Sequence, residues 1–251
     1  MTVQVRPRSD ARHQLVTETW ATGPPLPVDE YVDIYGNPVK RLVARRGTLT
    51  LRYDARCVVP DEADDDGSGV GQTLVEEIPG ELLHFTLPSR YCLSDVMMAT
   101  AWELFGRTEP GWARVQAICD WVHDNLKFQY GASNPLTTAL DVFNNRAGVC
   151  RDFAHLAVTF CRAMSIPARY VFGYLPDIYV PTPPEPMDFA AWMEVWLGDR
   201  WWTFDPRNNA RRVGRVLIGR GRDALDVAMV TSFGAAEFRS MTVWADKVEA
   251  A

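Results

Sequence analysis

Histidine is scarce in this chain. Only His13, His84, His123 and His155 occur in 251 residues, so a reaction that needs a base near neutral pH has few imidazoles to draw on. No Cys-x-x-Cys pair is present, which argues against a structural zinc site. No apolar run is long enough to span a bilayer. Residues 1–14 are charged and lack an apolar h-region, so no secretory signal is expected. There is no internal repeat. Positive charge is also short: the formal charge of -6 argues against a general nucleic-acid binder. Nothing in the sequence calls for a cofactor.

What remains is an ordinary globular composition, 47% hydrophobic and 23% charged, in a chain long enough for a large core and one or two domains. The cysteines are Cys57, Cys92, Cys119, Cys150 and Cys161. An odd, scattered set without a signal peptide points to reduced thiols and a cytoplasmic location. Four of them read as small buried hydrophobes. Cys150 stands apart.

The order of elements predicts an α+β fold. Residues 1–88 form a β-rich N-terminal domain, with strands over 48–53 and 70–79 and a turn at Tyr35-Gly36-Asn37-Pro38. Residues 89–251 form a core of helices packed on an antiparallel sheet. Helices are expected over 95–105, ended by Gly106, over 109–126, entered through Pro110, over 137–145 and over 150–164. Strands are expected over 168–174, 192–197 and 200–204, which are rich in aromatic and β-branched residues. The linker 175–187 holds prolines at 176, 181, 183, 184 and 186, so it is an ordered loop and a candidate cleft wall. The acidic run 61–66 reads as a solvated, mobile loop. Aligning Gly67 to the glycine of a calcium loop puts Thr73 where a bidentate glutamate is needed.

Gly148-Val149-Cys150-Arg151-Asp152 sets a thiol where a loop meets a helix. A helix N-terminus favours the reactive thiolate through its unpaired N–H groups and partial positive charge. Gly148 lets the backbone turn tightly and approach a substrate, and the Cys150 N–H is a candidate oxyanion donor. Downstream, Leu197-Gly198-Asp199-Arg200 reads as a two-residue hairpin turn. That register pairs Trp196 with Trp201, Glu194 with Thr203 and Trp192 with Asp205. It sets position 190 on the face of Asp205 and diagonal to it, about 7–8 Å away. A Cys-His-Asp triad requires such a meeting, because the acid orients the imidazole that activates the thiol. Asp205 has a plainer reading as a turn residue before Pro206.

The Cys150 segment, the Ala190-Ala191-Trp192 strand and Phe204-Asp205-Pro206 together resemble the transglutaminase-like superfamily of bacterial cysteine proteases, with its papain-like core. The resemblance implies Cys150 as nucleophile, Asp205 as orienting acid and a general base at position 190, where this chain has Ala190. It implies acyl transfer through a thioester, hydrolytic on a peptide or small amide; charge and hydropathy leave no nucleic-acid or membrane partner to expect. None of the four histidines is placed to substitute. His155, five residues along the helix from Cys150, points away from the thiol. Two explanations for Ala190 stay open: an inactivated variant of an active enzyme, preferred because the other motif elements survive, or a natural non-catalytic, peptide-binding relative. A scaffold built on Trp192, Trp196, Trp201 and Trp202 is a third reading, set against plain core packing. Arg207, Arg211, Arg212, Arg215, Arg220 and Arg222 form either a solvated basic loop or a positive rim that selects carboxylate-bearing substrates.

Overall fold

The computed structural model describes residues 1–10, 12–183 and 186–248; Pro184 of the proline-rich linker lies outside them. The strands and helices, in chain order, are β1 (Thr2–Val3), β2 (Gln14–Gly23), β3 (Val28–Val32), β4 (Pro38–Leu42), β5 (Thr50–Val58), α1 (Met98–Phe105), α2 (Trp112–Asn125), β6 (Lys127–Phe128), α3 (Ala139–Asn145), β7 (Ala147–Gly148), α4 (Cys150–Ala163), β8 (Ala168–Tyr174), β9 (Ala190–Leu197), β10 (Arg200–Phe204), β11 (Val216–Gly221) and β12 (Val230–Thr231).

Helix α4 organises the core. Its residues Asp152 to Ala163 are buried on every side, because the helix lies between the antiparallel sheet β10-β9-β8-β11 and helices α1, α2 and α3. The expected stripe Phe153, Leu156, Phe160 and Met164 is buried, but so is the opposite side, where Ala154 joins Tyr170, Phe172 and Ala191. Helix α2 buries Val115, Ile118 and Val122 on one face. Helix α3 begins at a capping box, Thr138 with Asp141, which satisfies two backbone donors reciprocally.

A second sheet, β12-β1-β4-β3, closes with a strand from residues 230–231. It is therefore not built from residues 1–88 alone. Strands β2 and β5 form a long, mostly exposed two-stranded ribbon. The turn at Tyr35-Gly36 is present, with Gly36 at φ 77° and its N–H bonded to the Asp33 carbonyl. The expected strand over 70–79 is not there. That segment holds a 3-10 turn at Val75–Glu77, since Pro79 has no N–H to give a ladder and Leu74 and Val75 face solvent. Among the described residues no helix is long and apolar enough to cross a membrane.

The acidic run is not the mobile loop its composition suggests. Asp64 accepts from Arg215 and from the Arg212 N–H, Asp65 pairs with Arg200, and Asp61 pairs with Lys247. Gly67 lies so close to Trp112 and Trp202 that a Cβ would meet their rings at 2.7–2.8 Å.

Candidate active site

The hairpin register is the one the turn length demands: Leu197 faces Arg200, Trp196 faces Trp201, and Glu194 faces Thr203. The ladder stops at Phe204 opposite Met193, one pair short of Trp192 and Asp205. Strand β9 therefore runs past the end of β10, and residues 189–191 keep a free edge on that side. Cys150 sits against this edge. Its sulfur lies 3.7 Å from the Phe189 carbonyl oxygen, to which the S–H donates, and it accepts from the Ala191 N–H. These groups bracket position 190. The thiol thus meets the strand in the plane of the sheet, beside the backbone of Ala190.

The Ala190 side chain itself lies on the sheet face turned away from α4, in contact with Val171, Trp192 and Leu217. Asp205 belongs to the same side: Arg215, which pairs with it at 3.0 Å, also lies over the Trp192 ring. Positions 190 and 205 share that face, while the sulfur is at its rim.

Gly148 has a different role from the one its position suggests. A Cβ there would come within 2.7 Å of Asp152 Cβ. Asp152, fully buried, accepts the Val149 N–H at 2.8 Å and pairs with Arg151. The missing side chain makes room for the acid that fixes the loop entering α4.

Cys150 is half-buried, and burial pushes its thiol up to about 11. The Arg207 cation and the Ala191 and Arg151 N–H groups pull the other way, and Asp188 adds to the rise. The helix terminus alone therefore leaves a protonated thiol at neutral pH. The other cysteines are chemically quiet. Burial raises Cys92 to about 11 and Cys161 to about 12, and raises Cys119 well above its ordinary value. Cys57 departs from the expected buried hydrophobe: it lies part-exposed on the β5 ribbon.

The Asp205 carboxylate is fully occupied. It accepts the N–H groups of Arg207 and Asn208, the Asn208 side-chain amide at 2.8 Å and Arg215. Its turn role before Pro206 is real, and it is combined with a buried ion pair. None of the four histidines bonds to it or to Cys150. His155 is buried, stacked on Tyr91, and accepts the Ala224 N–H through Nε2. His123 is bonded to the Arg207 carbonyl, His13 to Asp10, and His84 packs on Phe85. The sequence reading grouped Arg207 and Arg215 in a candidate basic rim but did not pair Arg215 with Asp205, and it missed Asn208. Their places follow from the chain reversal after Pro206, which no local pattern announces.

The tryptophans are packing residues. Trp196 stands edge-on to Trp201 at 5.6 Å, Trp202 to Trp112 at 5.5 Å, and Trp201 meets Phe85, so the scaffold reading loses its exposed aromatic surface.

A family model described as the transglutaminase-like superfamily matches residues 99–206. A candidate cysteine protease of Cytophaga hutchinsonii is 31% identical over 98% of this chain and 88% of its own, with a TM-score of 0.83. The chain belongs to the transglutaminase-like superfamily. Its match to that structure runs through the N-terminal β-rich region as well as the core. The uncharacterized protein ML0607 of Mycobacterium leprae is 28% identical over 90% of this chain and 82% of its own length. The uncharacterized protein Rv2569c of Mycobacterium tuberculosis is 33% identical over 42% of this chain and 37% of its own length. The superfamily core is thus set on a mixed fold of helices and antiparallel sheet, as the resemblance implies.

Proposed function

We propose that Cys150 is the acyl-accepting thiol of a cysteine peptidase or amidase framework whose base position is filled by Ala190. The chain as it stands holds an amide against the thiol with little or no turnover. The observation that carries this reading is the sulfur at the head of α4, bracketed by the Phe189 carbonyl and the Ala191 N–H. An imidazole attached at position 190 would start beside that sulfur. In the complete reaction the thiolate attacks an amide carbonyl, the amine leaves with a proton from the imidazolium, and water cleaves the thioester. Without the base the first proton transfer has no acceptor. Loss of a triad base costs on the order of a millionfold in kcat in a serine protease.

Restoring the base tests this directly. Ala190→His is expected to lower the alkylation pKa of Cys150 from about 11 toward neutrality and to bring measurable amide hydrolysis. A variant with neither a faster-reacting Cys150 nor turnover refutes the enzyme reading.

A second reading, a natural relative that binds peptides without cleaving them, draws support from Asp205. Its carboxylate already accepts from Arg215, from the Asn208 amide and from two backbone N–H groups. Under this reading the unaltered chain binds peptide, and Ala190→His adds no turnover. Both readings have the unaltered chain bind peptide, so turnover by Ala190→His, measured on a protein shown calorimetrically to bind, separates the two.

A further inference from the structure

Five of the six arginines from 207 to 222 are held by carboxylates of this chain. Arg211 reaches Asp66, Arg212 reaches Asp177, Arg215 reaches Asp64 and Asp205, Arg220 reaches Glu194, and Arg222 reaches Asp226. Arg212, Arg215 and Arg220 are drawn out of solvent by these pairs, while Arg211 and Arg222 are paired but remain exposed. Arg207 differs. Among the described residues its guanidinium has no carboxylate or carbonyl partner and lies 3.9 Å above the Phe128 ring. Its backbone is fixed at both ends, the N–H by Asp205 and the carbonyl by His123.

Two relations bring this cation to Cys150. Phe128, on which it stacks, pairs with Gly148, two residues before the thiol. The Arg207 charge is also close enough to favour the Cys150 thiolate. Two N–H groups, from Ala191 and Arg151, converge on the same sulfur. One exposed acid, Asp188, works against them. A guanidinium held over an aromatic ring through its cationic face can still offer N–H groups to a carboxylate in two parallel hydrogen bonds.

The geometry points to an anion subsite at Arg207, so that the ligands that reach Cys150 are peptides or small amides carrying a carboxylate beside the group presented to the thiol. This rests on Cys150 being the thiol of the cleft. It narrows a basic rim to one residue, because the neighbouring arginines are already spent.

The test compares alkylation of Cys150 by iodoacetate and by iodoacetamide, which share a leaving group and differ by one negative charge. Rates are followed by mass mapping at mildly alkaline pH and low ionic strength, with the part-exposed Cys57 as an internal reference. In Arg207→Gln the iodoacetate-to-iodoacetamide rate ratio at Cys150 is expected to fall about five- to tenfold. Arg207→Lys keeps most of it, and the ratio at Cys57 stays fixed. An unchanged ratio at Cys150 overturns the proposal. If Cys150 alkylates too slowly with either reagent, thermal shift decides. Succinate, and not succinamide, should raise Tm in the parent chain and fail to do so in Arg207→Gln; equal shifts in the two proteins overturn the subsite. Neither readout needs turnover. Amide hydrolysis absent from Ala190→His therefore leaves the subsite standing, and loss of the subsite leaves the Ala190→His result unaffected.

Discussion

On the side of β9 that meets α4 stand Ala191, Met193, Val195 and Leu197, all buried, against Phe160, Leu156 and their neighbours. On the other side stand Ala190, Trp192, Glu194 and Trp196. There the cover is polar. Glu194 is clamped by Arg169 and Arg220, and Asn37 of the N-terminal region exchanges hydrogen bonds with the Arg220 backbone in both directions. Further along, Asp64 of the acidic run closes over Arg215 and Asp205. One face is sealed by apolar area, which is tolerant of detail. The other is sealed by charges, each of which needs its partner. The candidate site lies where the two meet, at the open end of β9.

The comparison breaks most sharply at Glu194. Burial alone would raise its carboxyl, yet Arg169 and Arg220 hold it below the ordinary glutamate value. Glu194→Ala leaves two arginines facing an empty, buried place, and the expected loss is about 3–5 kcal/mol in urea unfolding. The sign with pH follows from the lowered value. The contribution is present above the unfolded pKa of about 4.3 and is lost as pH falls through the folded one. On the helix side the matching change, Met193→Ala, opens a cavity and is expected to cost about 2–4 kcal/mol, with no change in the acid limb. A Glu194→Ala loss no greater than that of an exposed salt bridge, about 0–1 kcal/mol, would mean the polar face is not a seal.

The helix side also buries titratable groups, His155 among them. Burial pulls its imidazole down to about 3, and its Nδ1 is buried without a hydrogen-bond partner. Because the folded value lies below the unfolded one near 6.5, the unfolded chain takes the proton first. Stability is full above about pH 6.5 and falls as pH drops toward the folded value. From pH 7 to pH 5 the expected loss from this group is about 2 kcal/mol. His155→Gln should flatten that slope by about one proton, read from urea midpoints at the two pH values. A slope unchanged by the substitution would show that the imidazole is charged in the folded protein.

The two faces also differ in how far they were legible in the sequence. Strands 168–174 and 200–204, the register Trp196–Trp201, and helix α4 from Cys150 could be read directly, because apolar periodicity and a two-residue turn are local. The thiol at the head of α4 was legible for the same reason. Strand β11 was missed, since Val216 to Gly221 alternates too briefly and carries Arg220 and two glycines. The polar closures were not legible at all. Asp64 and Arg215 are 151 residues apart, and Asn37 and Arg220 are 183 apart. A run of acids and a run of arginines each read as solvated when taken alone. Only the fold brings them together and shows that Arg207 is the arginine left over.

The smallest effect tests whether depth or charge makes the polar seal. Asp64 and Asp65 are neighbours in one acidic run, and each faces an arginine. The Asp64 carboxylate is 12% exposed and its partner Arg215 8%, whereas Asp65 and Arg200 are 36% and 48% exposed. A shared sequence context cannot separate them, but solvent can. Asp64→Asn should cost about 1–3 kcal/mol, because Arg215 loses half of its charged cover where water cannot replace it. Asp65→Asn should cost about 0–1 kcal/mol, and raising salt should erase most of that. The two Asn variants also differ in reach. Weakening the Asp64 contact loosens Arg215, which holds Asp205 in place, so the Asp64→Asn variant should change the alkylation rate of Cys150 while Asp65→Asn leaves it fixed. Equal losses in the pair would show that the acidic run acts by its summed charge, and the distinction between a buried seal and a solvated surface would not hold on this face.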